Sequence, residues 1–141
     1  MQIIEVKKLD LAGSILDVGS KKSPSNITNF IKNNKNITYL DKFSDSLEDL
    51  KIDLENKYEG NENNKFDNAM LFNVLEHIFN YQTCLDNCFL FLKKNGSIIG
   101  STPFLYQIHG SPNDFFRYTS EALVKSLEKG GFNKIDVKVI A

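Results

Sequence analysis

Short apolar runs, each closing on a glycine, an acid or a small polar residue, alternate along this chain with helical patterns, and few folds accept that succession. Ile15-Leu16-Asp17-Val18-Gly19 has the composition of a buried strand that ends on a turn glycine. Ile37-Thr38-Tyr39-Leu40-Asp41 is a second such run, and Leu50-Lys51-Ile52-Asp53-Leu54 a weaker third. The fourth, Phe66–Phe72, ends on Asn73; a fifth over 97–102 closes at Pro103, and a last strand is expected over 134–140. Between them, residues 26–35 place Ile27, Phe30 and Ile31 on one side of a short amphipathic helix. Residues 80–94 carry Leu85, Cys88, Phe89 and Leu92 at helical spacing and stop at Lys93-Lys94-Asn95-Gly96, the expected basic and glycine signal. Thr119 caps a third helix that runs to Lys129 and Gly130-Gly131. Strands that alternate with helices predict an α/β fold: a Rossmann-like, largely parallel sheet with helices on both faces. With 141 residues the chain makes one domain, 1–141, entered by a lead-in over 1–13.

In such sheets ligands bind outside the carboxyl ends of the strands, where strand order reverses. The residues that follow the strands are therefore the candidates. Gly19 allows a tight turn and close backbone approach. A dinucleotide fingerprint needs two further glycines, and Lys21 and Ser23 stand where they would fall, which disfavours a nicotinamide enzyme. Asp41 ends the second strand, where one carboxylate can accept both hydroxyls of a ribose. Asp53 can meet an adenine amino group while Leu54 packs its ring. Each acid alone is an ordinary strand end; Asp17, Asp41 and Asp53 after three successive strands are harder to dismiss.

Charge and composition exclude other classes. Seventeen basic against eighteen acidic residues give a net charge of −1 without a one-sign block, so neither nucleic acid nor an anionic membrane surface is expected as a partner. Met1 to Lys8 lacks the apolar core of a signal peptide, and no run approaches a membrane span. Cys84 and Cys88, four apart on a helical face, are expected to pack as reduced thiols, and no His/Cys pair completes a metal set, so no metal is expected. A soluble, cytoplasmic protein is the expectation.

Ile15 to Gly19, Tyr39-Leu40-Asp41, Ile52-Asp53-Leu54 and the run from Phe66 through Asn73-Val74-Leu75-Glu76-His77 together resemble class I S-adenosylmethionine-dependent methyltransferases, in the small-molecule branch whose fourth strand leads into a Leu-Glu-His segment. The resemblance covers the chain from about residue 13 to its end. It implies that Gly19 and Ser20 lie against the methionine part of S-adenosylmethionine, with Asp17 holding the loop. By the same resemblance Asp41 takes the ribose, Asp53 and Leu54 the adenine, and Asn73 and Val74 the floor beneath the methyl sulfonium. The plainer reading of Glu76 and His77 is as the expected start of a helix whose side chains brace neighbouring loops. The departures are Lys21 and Ser23 in a usually glycine-rich loop, the early start of the first strand, and the lack of the usual seventh strand.

Residues 104–118 follow the fifth strand and are expected to hang over the binding edge as an acceptor or lid loop. His109 suits proton removal from an acceptor hydroxyl near neutral pH. Asp114 can orient that imidazole, and Arg117, the one arginine of the chain, can grip an acidic acceptor or pin Asp114 by a fork. Tyr106, Phe115, Phe116 and Tyr118 are expected to pack rather than to stack on a ligand. The resulting expectation is methyl transfer to a small-molecule or glycan-type acceptor. The alternative is a catalytically inactive methyltransferase-like domain that serves as a binding or assembly module. An unpaired edge near the last strand invites a homodimer.

Overall fold

The computed structural model describes residues 10–20, 27–31, 36–110 and 112–140, and in it four strands form one sheet whose pairings are all parallel. These are β1 (Ile15–Val18), β2 (Ile37–Leu40), β3 (Phe66–Phe72) and β4 (Leu92–Ser101), in the order β2-β1-β3-β4. Two α-helices follow β3 and β4: α1 (Tyr81–Phe91) and α2 (Ser120–Lys129). Single 3-10 turns occupy Ile27–Phe30 and Leu75–His77. The fold is α/β and Rossmann-like, as the alternation predicts.

Strand periodicity assigns the two faces. The register Leu16↔Ala69 and Asp17↔Met70 puts Leu16, Val18, Ala69 and Leu71 on one side, Ile15, Asp17, Asn68 and Met70 on the other. The first side builds the main core with Cys84, Leu85, Cys88 and Phe91 of α1, and Leu123 and Leu127 of α2 pack against it. The second side is closed by Ile27 and Ile31 around the first 3-10 turn. With both sides covered, all four residues of β1 are buried. Both cysteines are free and fully buried, so their place in the packing follows from helix periodicity. At the opening edge of the sheet the Asp67 carboxylate accepts from the Ser14 backbone N–H (2.8 Å), the Ser14 hydroxyl (2.9 Å) and Lys93 Nζ (3.0 Å). These donors hold its carboxyl down, at about 2.

Three expected elements need correction. The strand expected over 50–54 is reduced to one parallel bridge, Leu40↔Leu50, because the backbone at once bends into an Asx turn in which Asp53 Oδ1 accepts from Glu55 N–H. The strand expected over 134–140 does not form: residues 135–140 join no ladder, and Val139 and Ile140 stay exposed. Alternation of apolar residues makes a strand only beside a sheet edge that it can reach. The second helix ends at Phe91, and Leu92 already pairs with Phe66; Asn95 (φ +65°) and a register shift then carry β4 to Asn68↔Ser97. Of the helix expected over 26–35, only Ile27–Phe30 and Ile31 fall within the described residues, and the Lys21 to Pro24 loop lies outside them. The cap predicted for α2 forms, with the Thr119 hydroxyl accepting from Ala122 N–H. No helix among the described residues is long and apolar enough to cross a membrane.

The polar loop between β2 and β3 is held by a residue that hydrophobic periodicity overlooks. Asn87, 1% exposed on α1, donates through Nδ2 to the carbonyls of Leu54 (3.1 Å) and Asn56 (2.9 Å), and its Oδ1 accepts from Tyr58 N–H (3.0 Å). Asn87→Ala strips three backbone groups of their partners, the Leu54 carbonyl among them buried, and should lower stability by about 2–4 kcal/mol. A urea midpoint within error of wild type would show that water replaces the amide.

Candidate functional site

The connection from β1 leads outward to β2, and the chain then crosses back over β1 to enter β3, so strand order reverses between β1 and β3. The carboxyl ends of those two strands bring Gly19 and Asn73-Val74 together. Gly19 has φ +73°, and a Cβ there would lie 2.8 Å from Val74 Cγ2. Backbone therefore meets side chain at this corner with no room for anything larger than hydrogen. Asn73 also takes a left-handed conformation (φ +55°), which asparagine tolerates better than other side-chain-bearing residues. Its N–H donates to Ser101 O (2.9 Å), tying the exit of β3 to that of β4. The Gly19 N–H donates to Leu40 O (2.7 Å), tying the exit of β1 to that of β2.

Beneath that corner Asp17 is 3% exposed and accepts side-chain hydrogen bonds from Ser20 and Thr28. Burial nevertheless dominates, and its carboxyl is pushed up to about 6. Asp41 follows β2 half-buried, and its Oδ1 caps Phe43 N–H (2.7 Å). Asp53 lies 3.6 Å from Lys42 Nζ, which also reaches Glu55. Leu54 is 5% exposed and belongs to the main core. The structure thus gathers Asp17, Gly19, Ser20, Asn73 and Val74 at one corner, sets Asp41 at the end of the neighbouring strand, and directs the Leu54 side chain inward.

The loop over 104–118 folds back onto the turn that follows β3. Phe115 N–H donates to Glu76 O (2.7 Å), and the Tyr118 hydroxyl donates to Leu75 O (3.0 Å). Because a carbonyl only accepts, the 2.5 Å contact between His77 Nδ1 and Asn113 O requires the proton on Nδ1. Within the loop the three residues singled out from the sequence meet. Arg117 grips Asp114 with both guanidinium ends, Nη1 to Oδ1 at 2.5 Å and Nη2 to Oδ2 at 2.8 Å. Asp114 Oδ2 accepts from His109 N–H (2.8 Å) and lies 3.3 Å from His109 Nδ1. The guanidinium, helped by the His109 N–H, holds the Asp114 carboxyl far below the ordinary carboxylate range. Tyr118 is buried and Phe116 packs on the core, whereas Tyr106 and Phe115 stand out beside an open cleft of about 260 Å³ that Asp114 and Arg117 also line.

Two further residues complete the cluster. Glu76 is fully buried, and its Oε1 lies 3.6 Å from His77 Nε2 and 4.0 Å from His109 Nε2. Oε2 accepts from the Thr102 hydroxyl (3.4 Å), while Oε1 has no hydrogen-bond donor. Burial pushes the Glu76 carboxyl up. Glu76, His77 and His109 are the described residues whose donor atoms, all within 4.8 Å of one another, could share a metal ion. Sequence spacing pairs Glu76 with His77, but only the folding back of the loop brings in His109. Compared with protein-family models and with curated proteins, the chain matches none.

Asp17 makes stability depend on pH. Its folded value, about 6, lies above the ordinary 3.8, so the folded protein binds the extra proton between those values. The stabilisation is complete below about pH 4 and is lost as pH rises through 6, on the order of 3 kcal/mol. Asp17→Asn should flatten the stability profile between pH 4 and 7 in urea titrations. A profile as steep as that of wild type would place the titration elsewhere.

Proposed function

We propose that this chain is an S-adenosylmethionine-dependent methyltransferase that acts in the cytoplasm on a small-molecule or glycan-type acceptor. The observation that carries the reading is the corner at the β1–β3 reversal, where Gly19 at positive φ abuts Val74 and an acid, Asp41, ends the strand alongside. Such a corner fits a ligand with one part that must lie close to backbone and another that carries a vicinal diol. In this reading Gly19 and Ser20 flank the methionine part, Asp41 takes the ribose hydroxyls, Asp53 meets the adenine amino group, and Asn73 and Val74 form the floor.

When bound, S-adenosylmethionine supplies an electrophilic methyl group on a sulfonium that departs as a neutral thioether. The chain itself must then supply alignment, exclusion of water and, for a hydroxyl acceptor, a destination for the proton. The loop over 104–118 serves the first two tasks. It is anchored through Phe115 and Tyr118 on the turn after β3 and presents Tyr106, Ile108 and Phe115 to the acceptor side. The Glu76–His77–His109 cluster serves the third, with the His109 ring held from behind by Asp114 and Arg117. Arg117 Nη2 also reaches the carbonyls of Tyr106 (3.4 Å) and Gln107 (3.2 Å), so one guanidinium fixes both the carboxylate and the loop that carries the imidazole. Arg117→Lys, which keeps the charge and removes the fork, should accelerate amide exchange across 106–109 by about tenfold or more, since two or more hydrogen bonds are lost. Unchanged exchange there would mean that the loop is held by its other contacts alone.

Thermal unfolding with S-adenosylhomocysteine, and with adenosine and NAD as controls, tests the assignment. At about a hundred times its dissociation constant a ligand stabilises by roughly 2.7 kcal/mol. A shift with S-adenosylhomocysteine that Asp41→Ala abolishes is the expected result. A shift with NAD alone overturns the reading, and no shift from any of them in a well-folded sample favours a binding or assembly module.

A further inference from the structure

We infer that Glu76, His77 and His109 form a binding site for one divalent first-row transition ion. Three atoms with free lone pairs converge there. His77 Nδ1 carries its proton toward Asn113 O. His109 Nδ1 faces two acceptors, Gln107 O at 3.2 Å and Asp114 Oδ2 at 3.3 Å, and must therefore donate as well. In the neutral rings both Nε2 atoms then hold lone pairs, and both face Glu76 Oε1, at 3.6 and 4.0 Å.

Those separations are too long for hydrogen bonds, so neither ring satisfies the carboxylate oxygen. Oε1 is buried with no partner, although a buried acceptor without one costs stability. The spacing is instead close to that of ligands around a shared ion. Two donors each about 2.1 Å from a metal lie ~3.4 Å apart in a tetrahedron, so small shifts of the partly exposed rings bring all three into range.

The surroundings have the form of an outer coordination shell. Each ring has its far nitrogen turned to a carbonyl or carboxylate, an arrangement that fixes the tautomer and raises ligand basicity. Asp114 is itself held by Arg117, so the support extends two residues from the cluster. Two imidazoles and one carboxylate suit zinc and its first-row neighbours over magnesium or calcium, which prefer all-oxygen shells. Three protein ligands also leave a position open. An oxygen bound there loses its proton more readily, and for this role alone the inference rests on the methyl-transfer reading. With the ion in place His109 would serve as a ligand and not as a base; the ion would make a bound acceptor oxygen more acidic, and its proton would leave to water.

The chain has only two histidines, both in this cluster, so every imidazole resonance reports on it. Tag-free protein titrated with Zn²⁺ in chelator-treated buffer should show both rings shifting together and saturating at one equivalent, with reversal by EDTA. Glu76→Gln should weaken the binding at least tenfold. If that variant does not fold, Co²⁺ added to the wild type decides: visible bands without a near-UV sulfur charge-transfer band are expected. Movement of one ring or neither at one equivalent, unchanged affinity in a folded Glu76→Gln protein, or a thiolate band from Cys84 and Cys88 would each overturn the site. S-adenosylhomocysteine binding is a separate readout, so the failure of either assignment leaves the other standing.

Discussion

The burial of Glu76 organises the carboxyl edge of this sheet. Its main chain lies in the turn that β3 reaches through the left-handed Asn73, and its carbonyl accepts the Phe115 N–H of a loop from the far side of β4. Its side chain, shut away from water, faces Thr102 at the exit of β4 and the imidazoles of His77 and His109. A carboxyl group kept in such a place must find a proton, a donor or a cation, because an isolated charge in the interior is very costly. Removing the turn would therefore release the loop, and removing the loop would open the carboxylate to solvent.

The rest of the molecule is arranged to present that edge. β1 and β3 lie inside the sheet with neighbours on both sides, so their exits are rigid, and the reversal of strand order leaves a crevice between them. The main core, against α1, holds one face, and the smaller cluster around Ile15, Ile31 and Met70 holds the other. Asp17 belongs to that thinner side, where Thr28 and Ser20 supply hydrogen bonds but too little water to keep its carboxyl at the ordinary value. The same burial that steadies Gly19 thus carries an electrostatic cost at the next turn of the chain.

Much of the site was legible one residue at a time. Gly19, Asp41 and Asn73 are visible as strand ends, and of the two roles the sequence offers Arg117, a grip on an acidic acceptor or a fork on Asp114, the structure shows the fork. Other features were not legible. Leu54 lies within a run that looked like a strand, yet its side chain is core and its carbonyl is held by Asn87 from α1. The alternating residues over 134–140 meet no ladder. In both cases the outcome depends on a partner distant in sequence, which periodicity does not contain.

The sequence by itself determined the α/β class, the positions of β1, β2 and β3, the Thr119 cap and the burial of Cys84, Leu85 and Cys88 on α1, though not that Phe89 stays exposed while Asn87 and Phe91 turn inward. These follow from local periodicity and capping chemistry, which act over a few residues. Only the tertiary structure decided that His109 faces Glu76 and His77, that Asn87 rather than an apolar residue closes the loop before β3, and that the sheet stops at four strands among the described residues. Each of these is a contact between segments that are far apart along the chain. Such contacts form only where the packing of the sheet brings their backbones within hydrogen-bond reach.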